Sequence, residues 1–106
     1  MKSSTSTMFR TQKYKEQEGY KTKMNLDDYR RRIDEIDSRL ASLLAERFSV
    51  ADRIGAYKRE NNIPVYNASR ENAVAEKVAG IAGEKYGEDV KKVYERIFEV
   101  SRGRQQ

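Results

Sequence analysis

The 106-residue sequence contains no cysteine and no histidine, and only one proline. Without cysteine there is no disulfide and no thiolate chemistry, and nothing points to an oxidising compartment. Losing cysteine and histidine together removes the usual zinc ligands, the Ser–His and Cys–His nucleophile pairs, and any unperturbed side chain that titrates near neutrality. An enzyme of this composition is expected to need neither metal nor nucleophile. One proline and six glycines leave little punctuation for a many-stranded fold, so an all-α class is expected. There is also no apolar run resembling a signal-peptide core or a membrane span, so a cytoplasmic location without membrane contact is expected.

Charge is abundant, at 37% of residues, and carries a formal excess of +5. Its placement matters more than its sum. Residues 1–24 hold six Lys or Arg against two Glu, while the remaining 82 residues carry 16 cations against 15 anions. The basic excess belongs to a Ser-, Thr- and Lys-rich segment without sustained periodicity, read as a disordered tail over residues 1–24. A single folded domain is expected over 25–106. Its near-neutral balance does not support a surface that tracks phosphates, so no nucleic-acid partner is expected.

Apolar residues recur at Leu26, Tyr29, Ile33, Ile36, Leu40, Leu43, Val50, Ile54 and Tyr57, in the 3-4 spacing of one helical stripe. Asn25 is the expected N-cap, with Asp27 and Asp28 in the first turn. Pro64 disfavours helix at Ile63, so the helix should stop at Asn61 or Asn62. That is about 36 residues and roughly 54 Å, against a diameter of about 30 Å for a globule of this size. A helix that overruns its own domain needs a partner to cover the excess. A second helix is predicted over 68–82, capped by Asn67 or Ser69 and ended by Gly83 and Gly87. A third is predicted over 88–102, with Val90, Tyr94, Ile97 and Ser101 on one face.

Polar residues interrupt these stripes. Arg47 stands where the spacing calls for an apolar side chain, and Ser101 does the same on the third helix. Lys58 follows Arg47 by 11 residues, three turns, which puts both on nearly one face roughly 16 Å apart. Long side chains leaning toward each other could grip a small dianion. Arg30 lies roughly 25 Å away and about 100° around the helix, so it could reach the same ligand only from a second subunit. Taken singly, such residues are more often solvated or snorkelling side chains, and an Arg in a stripe can equally set the register of a coiled coil. Only in combination do they point to a site.

The segments "DYRRRIDEIDSRLASLLAERFSVADRIGAYK", "PVYNASRENAVAEKV" and "YERIFEVSRGRQQ" resemble, in order and across residues 28–106, the all-helical chorismate mutases. The resemblance implies an intertwined helical dimer of three-helix chains. It implies conversion of chorismate to prephenate in phenylalanine and tyrosine biosynthesis, an isomerase reaction without cofactor. It further implies that Arg30 reaches across the dimer and joins Arg47 in binding substrate carboxylates, with Lys58 and Gln105 donating to the ether oxygen. Asn67 would help hold the ring hydroxyl through its backbone, and Arg70 would add to the anion pocket. Glu71 would accept from the ring hydroxyl, and Ser101 would contact a carboxylate. Gly103, in the last turn before Gln105, is expected to fray that turn until ligand binds.

Two rival readings remain. An isochorismate pyruvate-lyase uses the same scaffold, and Glu71 argues for the mutase, since a hydroxyl acceptor suits the mutase where the comparable lyases carry an apolar residue. A non-catalytic helical dimerisation module would tolerate loss of Arg47 and Lys58. At this length no fused dehydratase or dehydrogenase domain is expected, and docking on another enzyme of the aromatic pathway stays open.

Overall fold

The computed structural model describes residues 23–106. All but the last two residues of the expected tail lie outside this range. The described chain is all-helical, with α1 (Leu26–Glu60), α2 (Ala68–Ala82) and α3 (Gly87–Gln105). It divides after Ser38 into two units.

In the first unit, α1 opens on a reciprocal cap. The Asn25 side chain accepts from the Asp28 backbone N–H at 2.9 Å, and the Asp28 carboxylate accepts from the Asn25 N–H at 3.1 Å. Two otherwise orphaned donors are thereby satisfied. Arg31 pairs with Asp28, and Arg32 with Glu35 at 3.0 Å. The apolar residues Leu26, Tyr29, Ile33 and Ile36 of this unit are exposed.

The second unit holds the rest of α1 with α2 and α3. Here α1 ends at Glu60, one or two residues before the expected stop, because Asn62 adopts the left-handed conformation at φ 56°. The Ile63 N–H then reaches the Lys58 carbonyl at 2.9 Å and the Asn62 N–H reaches that of Arg59 at 3.5 Å. This is the Schellman arrangement, with Asn in the position glycine usually fills. Of the two candidate caps for α2, Asn67 serves, accepting from the Arg70 N–H at 3.0 Å. Gly83 ends α2 at φ 89° and ψ 170°, a backbone region open essentially only to glycine. Gly87 opens α3 instead of closing α2, and α3 continues through Gly103 to Gln105, three residues beyond the expected end.

Little of this unit is a dry core. The buried apolar side chains are Ala51 and Phe98, joined by Gly55, Ser101 and Gln105 where the second half of α1 meets α3. Leu40, Leu43, Val50, Ile54 and Tyr57 stay exposed, so the stripe that the spacing predicts to be covered is not covered by its own chain.

Candidate active site

Between the second half of α1, the link before α2, α2 and α3 lies a cavity of about 610 Å³. Of the eight residues singled out from the sequence, Arg47, Lys58, Asn67, Arg70, Glu71, Ser101 and Gln105 line it. Arg30, in the first unit, is not among its lining residues.

Arg47 is half-buried and held on several sides. Its Nη1 donates to the Ser101 hydroxyl at 2.6 Å, and its guanidinium stands 5.7 Å from the Tyr94 ring and 5.9 Å from the Phe98 ring. Those rings meet edge to face at 5.7 Å. Aromatic faces favour a cation at this range, so the interrupted stripe has a physical account: Arg47 packs on aromatics and keeps donors for the cavity. Ser101, having accepted from Arg47, retains its own O–H to donate.

Lys58 sits where the α1 end, the link and the α3 end converge. Its ammonium donates to the Val65 carbonyl at 2.7 Å and to Gln105 Oε1 at 2.8 Å. An ammonium has three hydrogens, so one remains. Because Lys58 can only donate, it fixes which end of the Gln105 amide faces it, and the NH₂ end is turned away from the ammonium. Buried Gln105 and half-buried Lys58 thus offer two preset donor groups in one cavity. The last turn that carries Gln105 is secured by its backbone. Arg59 donates to the Gln105 carbonyl at 3.1 Å, and Arg104 grips Asp52 through two hydrogen bonds of 2.8 Å. The bonded Arg104 guanidinium lowers the pKa of the Asp52 carboxyl and is itself raised by the same pairing.

Four cationic side chains, Arg47, Lys58, Arg70 and Arg102, and two carboxylates, Glu46 and Glu71, line the cavity. Arg102 Nη1 donates to both Glu71 oxygens at 2.6 Å, which neutralises that pair. The hydrogen bond to Glu71 is the main cause that raises the Arg102 guanidinium above its ordinary value. What remains is Arg47, Lys58 and Arg70 against Glu46, a cationic balance suited to a small dianion.

The type II chorismate mutase family matches residues 29–106. The chain belongs to that family. It is 39% identical over 62 residues to a bifunctional chorismate mutase/prephenate dehydratase of Aquifex aeolicus (strain VF5), covering 58% of this chain and 17% of that protein. It is 32% identical over 59 residues to a chorismate mutase of Methanocaldococcus jannaschii, covering 56% of this chain and 60% of that one. The chain therefore spans less than two thirds of the length of these curated relatives. No solved structure matches it.

For this chorismate mutase family chain, sequence reasoning missed two charged lining residues, Glu46 and Arg102. Glu46 directly precedes Arg47 and reads as ordinary helix surface. Arg102 reads as a cation that favours the end of a helix, and its partner lies 31 positions away.

Proposed function

We propose that this chain is a chorismate mutase, which rearranges chorismate to prephenate as a cytoplasmic step of phenylalanine and tyrosine biosynthesis. The observation that carries the reading is the convergence of Lys58 and Gln105, 2.8 Å apart, in a cavity of cationic balance. The reaction is unimolecular: a C–O bond breaks as a C–C bond forms, and no group leaves the molecule. The protein then has two tasks. Arg47 and Arg70, with the Ser101 hydroxyl, hold the two carboxylates so that the reacting carbons meet, converting a floppy reactant into a near-attack conformer. The remaining Lys58 hydrogen and the Gln105 NH₂ meet the ether oxygen as negative charge grows on it. Donors already in place there need no reorganisation at the moment of reaction.

The site is completed in a dimer. The uncovered stripe Leu40, Leu43, Val50, Ile54 and Tyr57 supplies an apolar surface for a second copy. Arg30 of that copy adds a further carboxylate ligand. The Aquifex relative carries prephenate dehydratase in its name, which supports a partner enzyme that consumes the product.

Elimination of pyruvate from isochorismate is the nearest rival, and the Glu71 carboxylate in the cavity wall favours the mutase because the lyases on this scaffold carry an apolar residue there. The test is the decay of chorismate ultraviolet absorbance with purified protein beside Lys58→Ala, with the product identified. Turnover to prephenate is expected, falling about 10²- to 10³-fold in the variant. A folded protein that leaves chorismate unchanged overturns the reading, and an unimpaired variant overturns the donor role of Lys58.

A further inference from the structure

The Glu71–Arg102 pair ties the first turn of α2 to the last turns of α3. Both side chains are largely enclosed, with 22% and 31% of their surfaces exposed. A second cavity of about 490 Å³ also has Glu71, Arg102 and Phe98 in its wall, so the pair partitions two spaces. From the link, the Tyr66 ring backs the Arg102 guanidinium at 5.2 Å. One nitrogen of Arg102 already serves both Glu71 oxygens. Turning that nitrogen toward a substrate anion would unmake a short charge-assisted contact in a half-enclosed place, while Arg47 and Arg70 supply cations without that loss.

We propose that Arg102 is a positioning residue. It acts through Glu71, holding the carboxylate plane in one orientation so that a substrate hydroxyl meets a preset acceptor. The site is thereby tuned to rings that bear that hydroxyl. Each carboxylate oxygen has a second lone-pair direction, so accepting from Arg102 leaves room to accept from the ligand. Without Arg102 the Glu side chain regains its rotamers, and the hydroxyl must order it on binding. This inference rests on the chorismate mutase reading of the cavity.

The experiment is a double-mutant cycle in kcat/KM for chorismate, using Arg102→Met, Glu71→Gln and the double variant, with Arg102→Lys alongside. Thermal melts show which variants fold. Each single change is expected to cost on the order of ten- to a hundredfold. The double variant is expected to be no worse than Glu71→Gln alone, because the two residues act as a unit. Arg102→Lys is expected to recover part of the loss. A binding arm uses 4-deoxychorismate, which lacks the ring hydroxyl, and compares wild type with the double variant, which keeps the cavity's net charge; its affinity is expected to be unchanged. Additive losses in the cycle, or an equal loss for the deoxy ligand, would overturn the proposal and make Arg102 a direct anion ligand. Should Arg102→Met not fold, Arg102→Lys in place of Arg102→Met carries the same cycle. An inactive wild type overturns the mutase reading itself, whereas an active wild type with an additive cycle overturns the positioning role alone.

Discussion

Gly55 of α1 and Gln105 of α3 touch backbone to backbone. A β-carbon at Gly55 would stand 2.6 Å from the Gln105 Cα and 2.7 Å from its carbonyl oxygen. No real Cβ tolerates such spacing, and the obstacle is main chain, which cannot swing aside. The last turn of α3 therefore reaches its place only because position 55 has no side chain.

Gly55→Ala puts two effects in opposition. Alanine in a helix interior gains about 0.5–1 kcal/mol over glycine, and overpacking a tight contact costs about 1–3 kcal/mol. The second should win, and it should be relieved by displacing the turn that carries Gln105. The expected result is a kcat about 10²-fold lower, as for loss of one preset donor, with the protein still helical by circular dichroism. Unchanged kcat with unchanged melting temperature would show that this close approach does not hold the donor.

Asp52 and Arg104 hold the same turn from outside, with side chains about half exposed, so solvent screens the pair. The bonded guanidinium depresses the Asp52 pKa below the unfolded value. A depressed carboxylate adds stability above its unfolded pKa, near 3.9, and loses it as the pH falls through the folded value. Wild type should therefore melt slightly above Asp52→Asn at neutral pH. The gap should narrow as the pH falls below about 4, and it should shrink in high salt. Because the pair also steadies Gln105, Asp52→Asn should lower kcat by a few-fold at most. Melting curves of both proteins across this range check the sign, and a gap that widens toward acid would contradict it.

The helices were legible because each carries both a period and a cap. Asn25 and Asn67 sit one residue before an apolar-periodic run and act as caps. Boundaries were less legible where an end depends on conformation more than on residue type. Asn62 at positive φ closes α1, and the packing of Gln105 on Gly55 keeps α3 helical past Gly103. Arg47, Lys58 and Ser101 announced themselves as polar residues on apolar stripes. Arg102 gave no such signal, since its meaning comes from Glu71 across the α2–α3 contact. The Lys58–Gln105 bond spans 47 positions and was reached through family resemblance, not periodicity. The α1 stripe has the right spacing for a core, yet Leu43 and Tyr57 are each 62% exposed in the chain by itself.

A second copy seated on that exposed stripe would make the site shared, and mixing two variants separates a shared site from a self-contained one. Arg30→Ala and Lys58→Ala should each abolish most activity if both residues serve every site. In a two-fold dimer whose sites take Lys58 from one copy and Arg30 from the other, a mixed dimer of the two variants behaves asymmetrically. One of its sites has lost both residues, and the other has lost neither. Refolding an equimolar mixture from denaturant should then restore about a quarter of wild-type activity, since half the dimers are mixed and half their sites are intact. If Arg30 instead served the site of its own chain, every site in the mixture would lack one residue and no activity would return. Sedimentation at the assay concentration must show a dimer in the same experiment. A monomer with full activity would dispose of the shared site, whatever the mixture does.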